Sequence, residues 1–319
     1  MKNVKWNLLI LIVVVLMALT ACSGQQPADQ PNANDAEGPS EQQAETSPAA
    51  YPVTVTDVKG RSVTIEKEPE SIVSLAPSNT ETLFALGLGD KIVGVDEYSN
   101  YPEQANAIKK VGNFNGPNIE LIAQLKPDLV VAGGYIQDEA IKKLEDLKIL
   151  VISSEAAGLE ELYQTIDVLG KATGTQQQAK QLVEKLKSNM KTIADKTASL
   201  DKPKVYFNVD INGFFTAGKG TFISELIAMA GGENVADDSE GYAQYSVEKI
   251  VEKNPDIIIT TEHAGSPEDI KNVETLKSVN AVKNDKIYSL DADIVNRLGP
   301  RVDQALEQLA RVIHPEIFE

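Results

Sequence analysis

Two carboxylates stand at matching places in a stretch that the chain carries twice. Residues 118–132 read NIELIAQLKPDLVVA and residues 246–260 read SVEKIVEKNPDIIIT. In each, a helix-capping residue (Asn118, Ser246) comes two positions before a glutamate (Glu120, Glu248). A proline (Pro127, Pro255) then closes the helical pattern, and an aspartate leads into an apolar strand. A carboxylate in a first helical turn meets unpaired N–H groups and the positive end of the dipole, which stabilises its own helix by about 0.3–1 kcal/mol. That accounts for each glutamate singly and leaves the matched pair unexplained. Two acids on opposite rims of one molecule suit a symmetric partner with two basic patches.

Groupings that would support catalysis are missing. The sequence has no G-x-S-x-G elbow, no P-loop, no H-E-x-x-H and no cysteine placed as a nucleophile. Gly213, Gly218 and Gly220 lack dinucleotide-loop spacing, and the GLGD run at 87–90 follows a helix instead of a strand. No enzyme activity and no resident cofactor are expected. Only two histidines occur, His263 and His314, too few for direct coordination of free zinc or manganese. No metal site is expected. His314 should pack against or cap the last helix, whereas His263, just after DIIITT, falls near the ends of strands.

A formal charge of −17 and a pI near 4.6 exclude nucleic acid as the natural partner. The N-terminus carries Lys2 and Lys5 ahead of an apolar run from Leu8 to Leu19, shorter than the roughly 20 residues of a membrane span. This is the pattern of an export signal, and it ends in Leu19-Thr20-Ala21-Cys22, with Cys22 the single cysteine of the chain. LTAC resembles a bacterial lipobox, so Cys22 is the expected lipidation site and mature N-terminus. Several acyl chains on it would anchor the protein stably. Residues 22–50 are polar and should form a disordered tether, letting the body roam about 30 Å from the membrane. Loss of residues 1–21 as signal peptide also removes Trp6, the single tryptophan.

The elements that must position the paired acids follow. Tyr51 to Glu66 alternates around Lys59-Gly60 and reads as a hairpin. Ile72-VSLA is a strand, and Ser78 with Glu81 has capping-box spacing before a glycine-stopped helix. Strands and helices then alternate, which implies a parallel sheet with crossover helices. From Gly158 the pattern becomes helical, and Gln176 to Ser199 contains no Gly or Pro, so one long helix is expected there. After Pro203 the alternation resumes. The fold class is therefore α/β: two similar lobes with mainly parallel sheets joined by one long backbone helix. The lobes are drawn at 51–157 and 201–319, with a helical connector at 158–200. Ligands of such folds sit beyond the carboxyl ends of strands, here between the lobes.

The ordered set of motifs resembles a known family. The lipobox and tether, VSLAPSNTETLFALGLGDKIVGV, YSNYPEQ, GNFNGPNIELIAQLKPDLVVA, the long helix, FFTAGKG, DKIYSLDADIVNRLGPR and His314-Pro315-Glu316 run in sequence order. Together they are similar to the substrate-binding lipoproteins of ABC importers for vitamin B12 and iron complexes, nearest to the cobalamin-binding members, over essentially everything after Tyr51. The resemblance implies the periplasmic-binding-protein fold of the helical-backbone type. It implies that Glu120 and Glu248 dock with arginines of a permease dimer that works with ATPase subunits. Its ligand-binding positions carry over to Asn79, Tyr98, Phe114, Phe215, Tyr242, Asp293 and Arg297, and Tyr135, two residues beyond Gly133 on the same strand face, is a further ligand-binding candidate. It implies export and lipid anchoring on the outer face of the cytoplasmic membrane. Where the best-studied cobalamin binders carry tryptophans, this chain has Phe114, Tyr242 and Gly133, which keeps a ferric siderophore or haem open beside cobalamin as cargo. A membrane-tethered sensor of the same ligand is a further alternative.

Overall fold

In a computed structural model, residues 50–113, 115–133, 138–154 and 156–318 are described. The expected hairpin forms from β1 (Val53–Thr56) and β2 (Ser62–Ile65), with Val53 opposite Ile65 and the left-handed Gly60 in the turn. Next come β3 (Ile72–Ser74), α1 (Pro77–Ala85) and β4 (Ile92–Val95). A small hairpin of β5 (Gly112–Asn113) and β6 (Gly116–Pro117) leads to α2 (Ile119–Leu125) and β7 (Leu129–Ala132). Then α3 (Asp138–Asp146) returns the chain to β8 (Val151–Ser153). The first sheet has the order β4-β3-β7-β8 and is parallel throughout.

Two helices follow, α4 (Leu159–Thr173) and α5 (Gln176–Thr197). The 22 residues of α5 match the Gly- and Pro-free run of the sequence. The second half adds β9 (Lys204–Asp210), β10 (Phe215–Ala217), α6 (Phe222–Met229), β11 (Glu233–Asn234) and β12 (Tyr242–Gln244). It continues with α7 (Val247–Lys253), β13 (Ile257–Thr261), α8 (Pro267–Lys271), α9 (Asn280–Lys283) and β14 (Ile287–Leu290), and ends with α10 (Ala292–Val295) and α11 (Val302–Ile313). This sheet runs β12-β10-β9-β13-β14 with β11 beside β9. Its centre is parallel, but β10 lies antiparallel to both β9 and β12.

A continuous apolar core ties the halves together. It takes Ile72, Leu129 and Ile152 from the first sheet and Phe207, Ile259 and Leu290 from the second. Between them pack Leu162, Ile166 and Leu169 of α4, Leu186 and Met190 of α5, and Leu306 and Leu309 of α11. Close-packed apolar interiors resist deformation, which favours a fixed spacing of the two sheets along this side.

Candidate functional site

The duplicated stretch folds twice into one device. Asn118 accepts a hydrogen bond from the Leu121 N–H at 3.0 Å, and Ser246 accepts one from the Lys249 N–H at 3.3 Å, capping α2 and α7. Both helices stop on a left-handed residue, Lys126 (φ 51°) and Asn254 (φ 49°). The aspartate beyond each proline reaches the start of the neighbouring strand. Asp128 accepts from Glu70 N–H, Ser71 N–H and the Ser71 hydroxyl, and Asp256 accepts from Lys204 N–H. Burial resists the charge on Asp128, but the hydrogen bonds from Lys67, Glu70 and Ser71 outweigh it and hold the carboxyl below its usual range. The repeated caps, left-handed stops and aspartates thus each hold their own segment in place through hydrogen bonds or backbone shape. Glu120 and Glu248 are exposed, and neither carboxylate has a hydrogen bond or ion pair among the described residues.

A cavity of about 670 Å³ opens where both sheets end. Its wall takes Ala76, Pro77 and Ser78 from beyond β3, Tyr98 from beyond β4, and Ser154 and Ala156 from beyond β8. From the second sheet come His263 after β13 and Ala292 and Asp293 after β14, joined by Phe222, Asn296, Arg297 and Leu298. This is the position that parallel α/β sheets reserve for ligands.

Buried polar contacts fix the Tyr98 loop. Asp96 accepts from the Tyr98 N–H and the Ser99 hydroxyl, each at 2.7 Å, and burial pushes its carboxyl up. Ser99 also shares a 2.7 Å hydrogen bond with Thr80 of α1. The loop is then bolted to the other half. Arg297 donates through Nη1 to Glu81 (3.1 Å) and the Asn100 Oδ1 (2.9 Å), and through Nη2 to the Tyr98 carbonyl (3.3 Å) and to Asp293. Arg301 donates to both oxygens of Glu81 at 2.7 and 2.6 Å and stacks over the Tyr101 ring at 4.1 Å. Burial opposes the charge on Arg301, yet the hydrogen bonds to Glu81 hold the guanidinium above its usual value. The Glu81 side chain is 1% exposed.

The structure therefore brings Tyr98, Asp293 and Arg297 together at the cavity. Asn79 lies just behind the wall, 3% exposed, its Oδ1 accepting from the Ser154 hydroxyl at 2.6 Å. Phe215 and Tyr242 are placed elsewhere. They lie on one face of the β10–β12 ribbon at the edge of the second sheet, outside the cavity lining. Phe114, Tyr135 and Cys22, with the signal and tether, lie outside the described residues. Four aromatic rings, Tyr98, Tyr101, Phe215 and Tyr242, are exposed, against one large aliphatic side chain, Leu147, among the described residues.

Three further points depart from or extend the sequence reading. The capping box at Ser78 and Glu81 does not form. Pro77 starts α1, Ala76 is the cap residue, and Glu81 turns to the two arginines instead. Gly133 has no room for a side chain, because a Cβ there would lie 2.3 Å from that of Ala76. His314 follows the expectation: it closes α11, 3% exposed, with Nδ1 near Glu316 and Nε2 near the Gly231 carbonyl. Glu81, Asn100 and Arg301 were not singled out from the sequence as site residues. The one signal in the chain is an acid on the buried side of a short helix. No group of three or more His, Cys, Asp or Glu among the described residues is arranged to hold a metal ion.

Residues 72–294 match the family model described as periplasmic binding protein. The chain belongs to that family. Its members are the solute-binding proteins of ABC importers, and the helical-backbone architecture described above is theirs. An uncharacterized ABC transporter substrate-binding lipoprotein of Bacillus subtilis, YvrC, is 37% identical over 98% of each chain. The vitamin B12-binding protein of Vibrio cholerae is 34% identical over 75% of this chain and 87% of its own length. The crystal structure of a possible iron-binding periplasmic solute-binding protein from Staphylococcus epidermidis superposes with a TM-score of 0.70 at 35% identity. It covers 78% of this chain and 100% of that one. No helix among the described residues of this family member is long and apolar enough to cross a membrane.

Proposed function

We propose that this chain captures a corrinoid in the cavity between its two sheets and delivers it to an ABC importer permease from the outer face of the cytoplasmic membrane, tethered through lipidated Cys22. The observation that carries the corrinoid reading is the exposed ring of Tyr98 in the wall of a cavity of about 670 Å³, large enough for a macrocycle. Tyrosine and phenylalanine bury large areas against a flat macrocycle at low entropic cost, and they supply here what tryptophan would elsewhere. The vitamin B12-binding relative supports the same ligand class. Exposed and unpaired, Glu120 and Glu248 support a two-point contact with a two-fold-symmetric permease, and ATP is hydrolysed by other subunits. The continuous core implies little hinge motion between free and bound forms.

A ferric chelate or haem is the second reading, favoured by the exposed imidazole of His263 in the cavity wall. Isothermal titration with cyanocobalamin separates the two. One-to-one binding that weakens in Tyr98→Ala is expected. Absence of heat with cyanocobalamin, together with saturable binding of haem or a ferric siderophore, would overturn the corrinoid assignment.

A further inference from the structure

We propose that the floor of the cleft is an electrically balanced hydrogen-bond acceptor, so that it selects macrocycles rimmed with primary amides over those rimmed with carboxylates. The proposal rests on the reading of this cavity as the solute site, and it deepens that reading from a ligand class to a polarity.

An arginine in a binding cleft ordinarily invites a carboxylate, because its fork matches two oxygens. Arg297 is not available in that way. A guanidinium has five N–H donors. Both of those on Nη1 are committed, to Glu81 and Asn100, and both of those on Nη2 go to the Tyr98 carbonyl and Asp293. Only Nε–H is left without a partner among the described residues. The side chain is also just 13% exposed. Asp293 is the more open member of the pair, at 37%. Its carboxylate accepts from Arg297 and from the Asn100 amide at 2.6 Å, and a carboxylate has about four acceptor sites, so roughly two remain facing the cavity.

Ser154 has the same polarity. Its hydroxyl proton points inward, to the Asn79 Oδ1 at 2.6 Å or the Ala132 carbonyl at 2.9 Å, which turns its lone pairs outward. The charges cancel as well. Glu81 and Asp293 are matched by Arg297 and Arg301, so the cluster offers no net positive field to attract an anion. A carboxylate brought against Asp293 meets a like charge and an unanswered acceptor, whereas an amide N–H₂ supplies the missing donor.

The test uses the full-length chain in detergent and two pairs of probes that share a ring. One pair is dicyanocobinamide, whose corrin rim carries amides, and dicyanocobyrinic acid, the same ring with carboxylates. The other is haem and its bis-amide. Titration should show the amide partner binding at least roughly a hundredfold more tightly, as expected where a site's buried acceptor goes unanswered. Asp293→Asn, which can donate as well as accept, should narrow that ratio by about tenfold. A preference confined to the porphyrin pair, with the corrin pair silent, would remove the corrinoid reading and uphold the polarity. Equal affinities, a preference for the carboxylate partner, a ratio unmoved by Asp293→Asn, or no binding in either pair would overturn it.

Discussion

Glu81 ties the two halves of the molecule together through buried charged hydrogen bonds, and Glu81→Ala tests that directly. The carboxylate is 1% exposed and receives three charged hydrogen bonds, from Arg301 at 2.7 and 2.6 Å and from Arg297 at 3.1 Å. Its partners lie 216 and 220 positions away in sequence, so the contact closes a very long loop. Removing one side of a buried pair costs about 3–5 kcal/mol, because the remaining charge stays desolvated. Arg297 keeps Asp293 as a counter-charge, which places the expected loss toward the lower end, about 3 kcal/mol. For a body of this size, each kcal/mol lowers the midpoint by about 2–4 °C, so the expected drop is about 10 °C by calorimetry. A second variant separates charge from packing. Glu81→Leu with Arg301→Met replaces the closest pair by apolar groups and should recover most of the loss. A fall under about 1 kcal/mol in Glu81→Ala, or no recovery in the double variant, would refute the account of this network.

Three other outcomes follow from the geometry. Glu120→Ala or Glu248→Ala should leave ligand affinity unchanged in titration, while each lowers uptake through the reconstituted importer by roughly tenfold and the double variant abolishes it. Gly133→Ala should destabilise the fold by about 1–3 kcal/mol in denaturant titration, because the new Cβ falls 2.3 Å from Ala76. The Asp128 carboxyl is held below its usual range, so its stabilising contribution is complete above about pH 4 and is lost as pH falls through the lowered folded value. Acid unfolding curves of the wild type should therefore steepen below about pH 4, and Asp128→Ala should flatten that region while costing about 1–3 kcal/mol at neutral pH.

Local patterns carried most of the architecture. The hairpin at 53–65, the Gly- and Pro-free α5 and the strand–helix alternation are set by period, turn chemistry and propensity within a few residues. The repeated stretch was legible for the same reason, and the structure adds the duties of three of its repeated features: cap, stop and strand anchor. What stayed hidden depended on distant partners. Glu81 has capping-box spacing from Ser78, but Pro77 fits the first helical position so well that the helix starts a residue before Ser78 and leaves Glu81 free to reach the arginines. Phe215 and Tyr242 are aromatics near strand ends, as read, yet their strands turn antiparallel toward the sheet edge, two and three places from β13. Sequence spacing cannot report that order. Tyr98, Asp293 and Arg297 were legible through their motifs, whereas the commitment of Arg297's donors was not.

The most direct measurement is co-elution of cyanocobalamin with the protein in gel filtration, read by the ligand's visible absorbance against protein concentration. The account predicts one corrinoid per chain travelling with the protein, reduced in Tyr98→Ala. Ligand eluting entirely behind the protein at concentrations well above micromolar would contradict it.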